Sequence, residues 1–232
     1  MVRSILFFII NYKEFHMPRP ARSQEEIEAV KKNIMKKAVD LINAEGFGKF
    51  NMRKLGDHLG IAAKTVYNYY HSKDELYLTV LANGFQNLYD SCQSAYKSGD
   101  TPLDRLVAMG RAYMDFGLTQ AHYYNLMFTW TVPKYKDYAD TNLERLARVE
   151  LTISIEIHNL FISSIRETKE DLSDDDAQFY VIYLWSLVHG YISGYNNTLL
   201  NYMHPDPLTL KDRMIETLVD NIRREIKTLI AK

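Results

Sequence analysis

The chain has 232 residues, of which 47% are hydrophobic and 25% charged, and its net charge is −1. That balance is ordinary for a folded protein and excludes a disordered or low-complexity chain. The single cysteine, Cys92, excludes a disulfide framework or a cysteine-based zinc site within one chain, and it fits a reducing cytoplasm.

Charge is divided unevenly along the length. Residues 1–75 hold 13 Lys/Arg against 9 Asp/Glu, which leaves 15 against 20 in the remainder. A basic head on an acidic body suits a protein that meets a polyanion at one end.

In chain order, Ile5–Ile10 is an apolar run too short to span a bilayer, and it lacks the length and small-residue cleavage site of a signal peptide. Met17 opens a basic stretch, Met17-Pro18-Arg19-Pro20-Ala21-Arg22, so translation is expected to begin there, with residues 1–16 an upstream extension. From Ser23 to Glu45, Ile27, Val30, Ile34, Ala38, Leu41 and Ile42 form one helical stripe. Ser23 with Glu26 reads as a capping box, and Gly46 as the stop.

Two short helices follow, Met52–Leu59 and Ala63–Tyr70, joined at Gly60-Ile61. Ser72, with Glu75 as capping partner, starts a longer helix to about Lys97, and Ser98–Pro102 breaks it. Helices are then expected over Leu103–Gly117, Ala121–Phe128, Thr141–Glu170, Ser173–Leu200 and a last one striped by Leu210, Met214, Leu218, Ile222, Ile226 and Leu229. Thr129–Ala139 reads as a loop, and Ser173 ahead of Asp174-Asp175-Asp176 as a helix start. About nine helices and no strand make the fold class all-α.

Phe50–Leu76 carries the most information. Asn51 can cap the first short helix, and Leu55, Leu59, Ile61, Val66 and Tyr70 can form a small core. Gly60 supplies a tight turn, and Gly56 allows the second helix to cross closely. The second helix then presents Ala63, Lys64, Thr65, Tyr67, Asn68 and Tyr69 outward. Such a helix can enter the major groove, where Lys64 suits guanine, Asn68 adenine and Thr65 a thymine methyl. Tyr67 and Tyr69 suit phosphate, as do Arg53, Lys54 and Lys73 near helix starts.

The pattern Leu55-x4-Gly60-Ile61-x3-Thr65-Val66-Tyr67-x2-Tyr70-x2-Lys73-x2-Leu76 resembles the TetR family. Two positions depart from it: Ala62 replaces the usual Ser/Thr cap, at a cost of about 0.5–2 kcal/mol, and Gly56 replaces Ala, at about 1 kcal/mol. The resemblance implies a leader (1–22), a DNA-binding domain (23–72) and a helical ligand-binding and dimerisation domain (73–232). It implies a cytoplasmic repressor, released from a pseudo-palindromic operator by a small apolar or aromatic effector. Control by a protein partner, or by no ligand, is the alternative.

For the effector, the aromatic-rich body offers Phe85, Tyr89, Tyr113, Phe116, Tyr123, Met127, Trp130, Trp185 and His189, any of which could equally be plain core. Trp185-x3-His189-Gly190 resembles one branch of TetR C-terminal domains. Ser186, Gly190 and Gly194 would let a partner helix approach, so a homodimer through the last two helices is expected, unless their stripes serve the chain's own core. An enzyme is disfavoured. His122, His158, His189 and Asp174–Asp176 show no metal-ligand spacing, and no glycine-rich phosphate loop or Gly-x-Ser-x-Gly elbow occurs. No cofactor, metal or membrane partner is expected.

Overall fold

The computed structural model describes residues 22–128, 132–169 and 172–228, so the expected leader through Ala21, including Met17, and the candidate Trp130 lie outside the described residues. Packing divides the chain into a segment up to Asn33 and a compact unit from Ile34 onward. In the first segment Ser23 and Glu26 form the expected capping box: the Ser23 hydroxyl accepts from the Glu26 N–H at 3.2 Å, and the Glu26 carboxylate accepts from the Ser23 N–H at 2.8 Å. This opens helix α1, Gln24–Glu45.

All nine α-helices expected are present among the described residues, with no strand. After α1 come α2 (Met52–Leu59), α3 (Ala63–Tyr67), α4 (Lys73–Ser98) and α5 (Pro102–Thr119). They are followed by α6 (Ala121–Phe128), α7 (Glu144–Arg166), α8 (Asp174–Asn196) and α9 (Lys211–Thr228). Short 3-10 turns at Tyr135–Asp137, Leu199–Tyr202 and Pro207–Leu210 fill the connections.

The helix starts follow local chemistry. Asn51 accepts from the Lys54 N–H, Ser72 from Glu75, and Ser173 from Asp176, satisfying N–H groups that have no partner inside the helix. At Ser72 the reciprocal contact differs from a capping box, because the Glu75 carboxylate turns to the N–H of His71 at 2.7 Å. Thr101 and Asp104 complete a full box ahead of α5. Helix α3 ends at Tyr67 rather than Tyr70. The Tyr69 N–H returns to Val66 in a tight 3-10 pattern, and Ser72 must be extended to cap α4.

Helix α4 is the spine of the body. It packs along α5 and α7 and also meets α6, while α5 reaches α7, α8 and α9. Leu76, Leu78, Val80, Leu81 and Leu88 of α4 are buried, as are Leu106, Met109 and Met114 of α5. The apolar stripe of α9 is consumed inside the chain: Ile215, Leu218, Val219, Ile222 and Ile226 are all buried. Helix α9 packs these residues on α5 within the chain.

Helices α2 and α3 meet at Gly56. A Cβ there would lie 2.7 Å from the Ile61 carbonyl oxygen and 3.1 Å from the Ala63 nitrogen. Gly60, at φ +67°, turns the chain between the helices, a conformation that costs glycine least. The glycine that looks like a departure from the family pattern is thus required by the close crossing. Gly56→Ala is expected to destabilise the protein by about 1–3 kcal/mol through overpacking, despite the gain of about 1 kcal/mol in helix propensity. A lowered thermal midpoint measures it, and an unchanged or raised midpoint would refute the steric reading.

Candidate functional site

Helices α2 and α3 form a small unit whose interior is Leu55, Val66 and Tyr70, all buried. Leu59 and Ile61, also expected inside, are half-buried. Burying Val66 and Tyr70 fixes the other face of α3. Lys64, Tyr67 and Asn68 are exposed there, and Ala63, Thr65 and Tyr69 are partly so. Arg53 is exposed on α2. Lys54 is tied by an ion pair to Glu45, and that hydrogen bond draws the Glu45 carboxyl below its ordinary range. Lys73 is half-buried. Its ammonium donates to the Phe47 carbonyl at 3.1 Å and lies 4.2 Å from the centre of the Phe47 ring, a cation–π contact that ties α4 to the loop after α1.

A second feature lies in the body. A cavity of about 230 Å³ sits among α4, α5, α7 and α8, with Phe85, Leu88, Tyr113, Ile157, Phe161 and Val188 among its apolar walls. Trp185 and Ile182 also line it while remaining 42% and 58% exposed, so these two stand at its mouth. Its polar lining residues are Tyr113, Ser154, His158 and Trp185, and no charged side chain lines it. An apolar chamber with a few polar groups is the usual form of a small-molecule site.

Hydrogen bonds and ring contacts link one wall of this cavity to a cleft beside the helix-turn-helix. The Trp185 Nε1–H donates to the Tyr113 hydroxyl at 2.9 Å. The Tyr113 ring meets the Tyr124 ring edge-on, with centroids 6.1 Å apart, and the Tyr124 hydroxyl lies 2.6 Å from His189 Nδ1. The His189 ring stacks on Trp185, with centroids 4.8 Å apart. His189 also borders a second cleft, shared with Asn43, Gly46, Phe47 and Tyr124.

Burial lowers the pKa of His189, so neutral imidazole accepts from Tyr124, and burial pushes the Tyr113 and Tyr124 hydroxyls well above the ordinary tyrosine range. The unfolded chain then binds a proton at His189 more readily than the folded one. Its contribution is complete above about pH 6.5 and is lost as pH falls through the lower folded pKa. The thermal midpoint is expected to drop between pH 7.5 and 5.5 by more in the wild type than in His189→Gln. Equal drops would show that this site does not titrate with folding.

Of the residues proposed from sequence for an effector, Phe85, Tyr113 and Trp185 line the cavity. Phe116 and Met127 are buried elsewhere, and Tyr89 is occupied by an in-helix bond from Gln93 at 2.7 Å. Tyr123 lies against Gly84, and His189 faces the neighbouring cleft. The contribution of α7 was missed, although Ser154, Ile157, His158 and Phe161 share one helical face at steps of three, one and three. A serine and a histidine on an apolar stripe were the available signal. Among the described residues no three His, Cys, Asp or Glu side chains could hold a metal, and no helix is long and apolar enough to cross a membrane.

Comparisons with known proteins agree with this geometry. Residues 34–80 match "Bacterial regulatory proteins, tetR family", and residues 106–218 match "Tetracyclin repressor-like, C-terminal domain". No curated protein matches. Among solved structures, a regulatory protein of the TetR family from Rhodococcus RHA1 is 18% identical, with a TM-score of 0.66 over 83% of this chain and 96% of its own. The TetR family transcriptional regulator PfmR from Thermus thermophilus is 14% identical, with a TM-score of 0.63 over 82% and 97%. The fatty acid degradation regulator FadR from Bacillus halodurans is 15% identical, with a TM-score of 0.61 over 86% and 96%. At these identities the likeness is one of fold. The two sequence matches, one to the reading head and one to the body, carry the assignment: the chain belongs to the TetR family of bacterial transcriptional regulators.

Proposed function

We propose that the protein is a homodimeric repressor that leaves its operator when a small apolar ligand enters the cavity in its body. The observation that carries this reading is α4, which joins the two features. Phe85 and Leu88 of α4 line the cavity, while Lys73 at its start grips Phe47 beside the reading head. Twelve residues of helix between Lys73 and Phe85 span about 18 Å, a rigid arm along which a shift at the cavity moves the head. Helix α6 offers a parallel link. Its Phe128 lines the cavity, and its His122 carbonyl accepts from Asn43 of α1 at 3.0 Å.

In this reading Lys64, Thr65 and Asn68 contact bases, with Ala63 at the helix start close to the groove floor. Arg53, Lys54, Tyr67, Tyr69 and Lys73 serve phosphates. A five-residue recognition helix reads few base pairs, so specificity calls for two heads about one DNA turn apart. Helix α8 supports the pairing. From Ala177 to Asn196 it has no Asp, Glu, Lys or Arg, it exposes Phe179, Ile182 and Trp185, and nothing lies within 4 Å of a Cβ built on Gly190. A ligand shifts the equilibrium only by its preference for one of the two arrangements.

The test is fluorescence anisotropy on a labelled duplex from the region upstream of the protein's own coding sequence, against a scrambled duplex, at two salt concentrations. Saturable binding to the native duplex alone supports an autoregulating repressor. Equal, strongly salt-dependent binding to both would reduce the head to phosphate attraction.

A further inference from the structure

Residues 132–140, between α6 and α7, fasten the first turn of α4 to both of those helices. The Tyr138 hydroxyl donates to Asp74 Oδ1 at 2.9 Å, and the Tyr77 hydroxyl donates to the Pro133 carbonyl at 3.1 Å. Both tyrosines are buried, so each bond replaces hydration that the hydroxyl has lost. Asp74 and Tyr77 are three residues apart and so share one face of α4. The other side of the segment is anchored as well. The Lys134 ammonium donates to the Met127 carbonyl of α6 at 3.3 Å, and the Tyr135 hydroxyl donates to Glu144 Oε1 of α7 at 3.2 Å. The same turn of α4 seats the reading head. The Tyr77 ring meets the Phe47 ring, with centroids 4.6 Å apart, and Phe47 is the residue that Lys73 grips. Phe128, next to Met127 at the end of α6, lines the cavity.

We propose that this segment is a clamp that holds the reading head in its operator-binding arrangement, with Tyr138 as the positioning residue that acts through Asp74. This inference rests on reading the protein as an operator-binding repressor and adds the contact that couples body to head. The physical ground is preorganisation. A head whose supporting turn is already fixed loses less freedom on meeting DNA, so cutting the clamp lowers affinity without removing any contact to DNA. The clamp also gives the cavity a lever on the head. A ligand that displaces Phe128 moves the neighbouring Met127 carbonyl, the anchor of Lys134, and with it the segment that holds Asp74 and Tyr77.

The experiment compares Tyr138→Phe with Tyr191→Phe in the full-length protein. The Tyr191 hydroxyl donates to the Pro207 carbonyl at 2.7 Å, so this control also loses one buried tyrosine hydrogen bond, between α8 and the turn before α9. Hydrogen exchange is expected to quicken at residues 47–50 and 76–79 in Tyr138→Phe, and to keep its wild-type rate there in Tyr191→Phe. In anisotropy on the upstream duplex, Tyr138→Phe should lose about ten-fold in affinity, while Tyr191→Phe should match the wild type. In an Asp74→Ala background, Tyr138→Phe should cost less than about two-fold more, because the two side chains act through one contact. Unchanged exchange in Tyr138→Phe, an equal loss of affinity in Tyr191→Phe, or the full loss in the Asp74→Ala background would overturn the clamp. Quickened exchange with operator affinity retained would overturn its role in DNA binding. Quickened exchange in a protein whose wild type binds no duplex specifically would sink the repressor reading and leave the hold on α4 standing.

Discussion

Replacing Lys64 and Asn68 together with alanine is expected to abolish specific operator binding while leaving the protein folded. Lys64 is exposed on α3 and Asn68 at its C-terminal cap, so their truncation opens no cavity in the body. Alanine at these positions keeps the short helix. Each base contact of this kind is worth about 1–3 kcal/mol, and a two-fold dimer makes each one twice. The loss is then on the order of 4 kcal/mol or more, roughly 1,000-fold in affinity. Anisotropy measures the affinity and thermal unfolding checks the fold. Specific binding retained within ten-fold of wild type would refute α3 as the reading helix. Arg53→Ala makes a useful contrast, because a phosphate contact should weaken all sequences alike and lower the salt slope by about one.

The second large effect is expected from Phe179→Glu. Phe179 is 56% exposed on the uncharged face of α8 and stacks on Tyr183, with centroids 6.2 Å apart. It does not line the cavity. If two copies pair through this face, each loses the burial of one phenyl ring, about 1.5–3 kcal/mol, and gains a carboxylate that must be desolvated. The dimer dissociation constant should rise by at least about 100-fold. Sedimentation would show a monomer at concentrations where the wild type is a dimer, and operator affinity should fall with it. A variant that stays dimeric would move the interface off this face.

The two parts of the molecule differ in how far their sequence could be read. The reading head was legible almost residue by residue, because its determinants are local. Asn51 and Ser72 cap the helices that follow them, Gly60 turns the chain, and the spacing of Leu55, Val66 and Tyr70 fixes which side of α3 faces out. Gly56 was legible as a close approach, although its cost in propensity hid the fact that the Ile61 carbonyl leaves no room for a methyl group.

The body was legible as helices and opaque as a site. Its aromatic residues all sit on apolar stripes, and periodicity cannot distinguish a stripe facing a cavity from one facing solid core. Tyr113 and Phe116 lie three residues apart on α5 and are both buried, yet only Tyr113 reaches the cavity. The α9 stripe was expected to serve a partner chain, with the chain's own core as the alternative. Tertiary packing buried Ile215, Leu218, Val219, Ile222 and Ile226 within the chain and left Phe179, Ile182 and Trp185 exposed on α8. The sequence by itself therefore determined the all-α class, the helix limits to within a few residues, and which face of α3 is left exposed, since these depend on capping, turns and spacing within single helices. Only the tertiary structure decided where the cavity lies and which residues line it, because both depend on how α4, α5, α7 and α8 are brought together from distant parts of the chain.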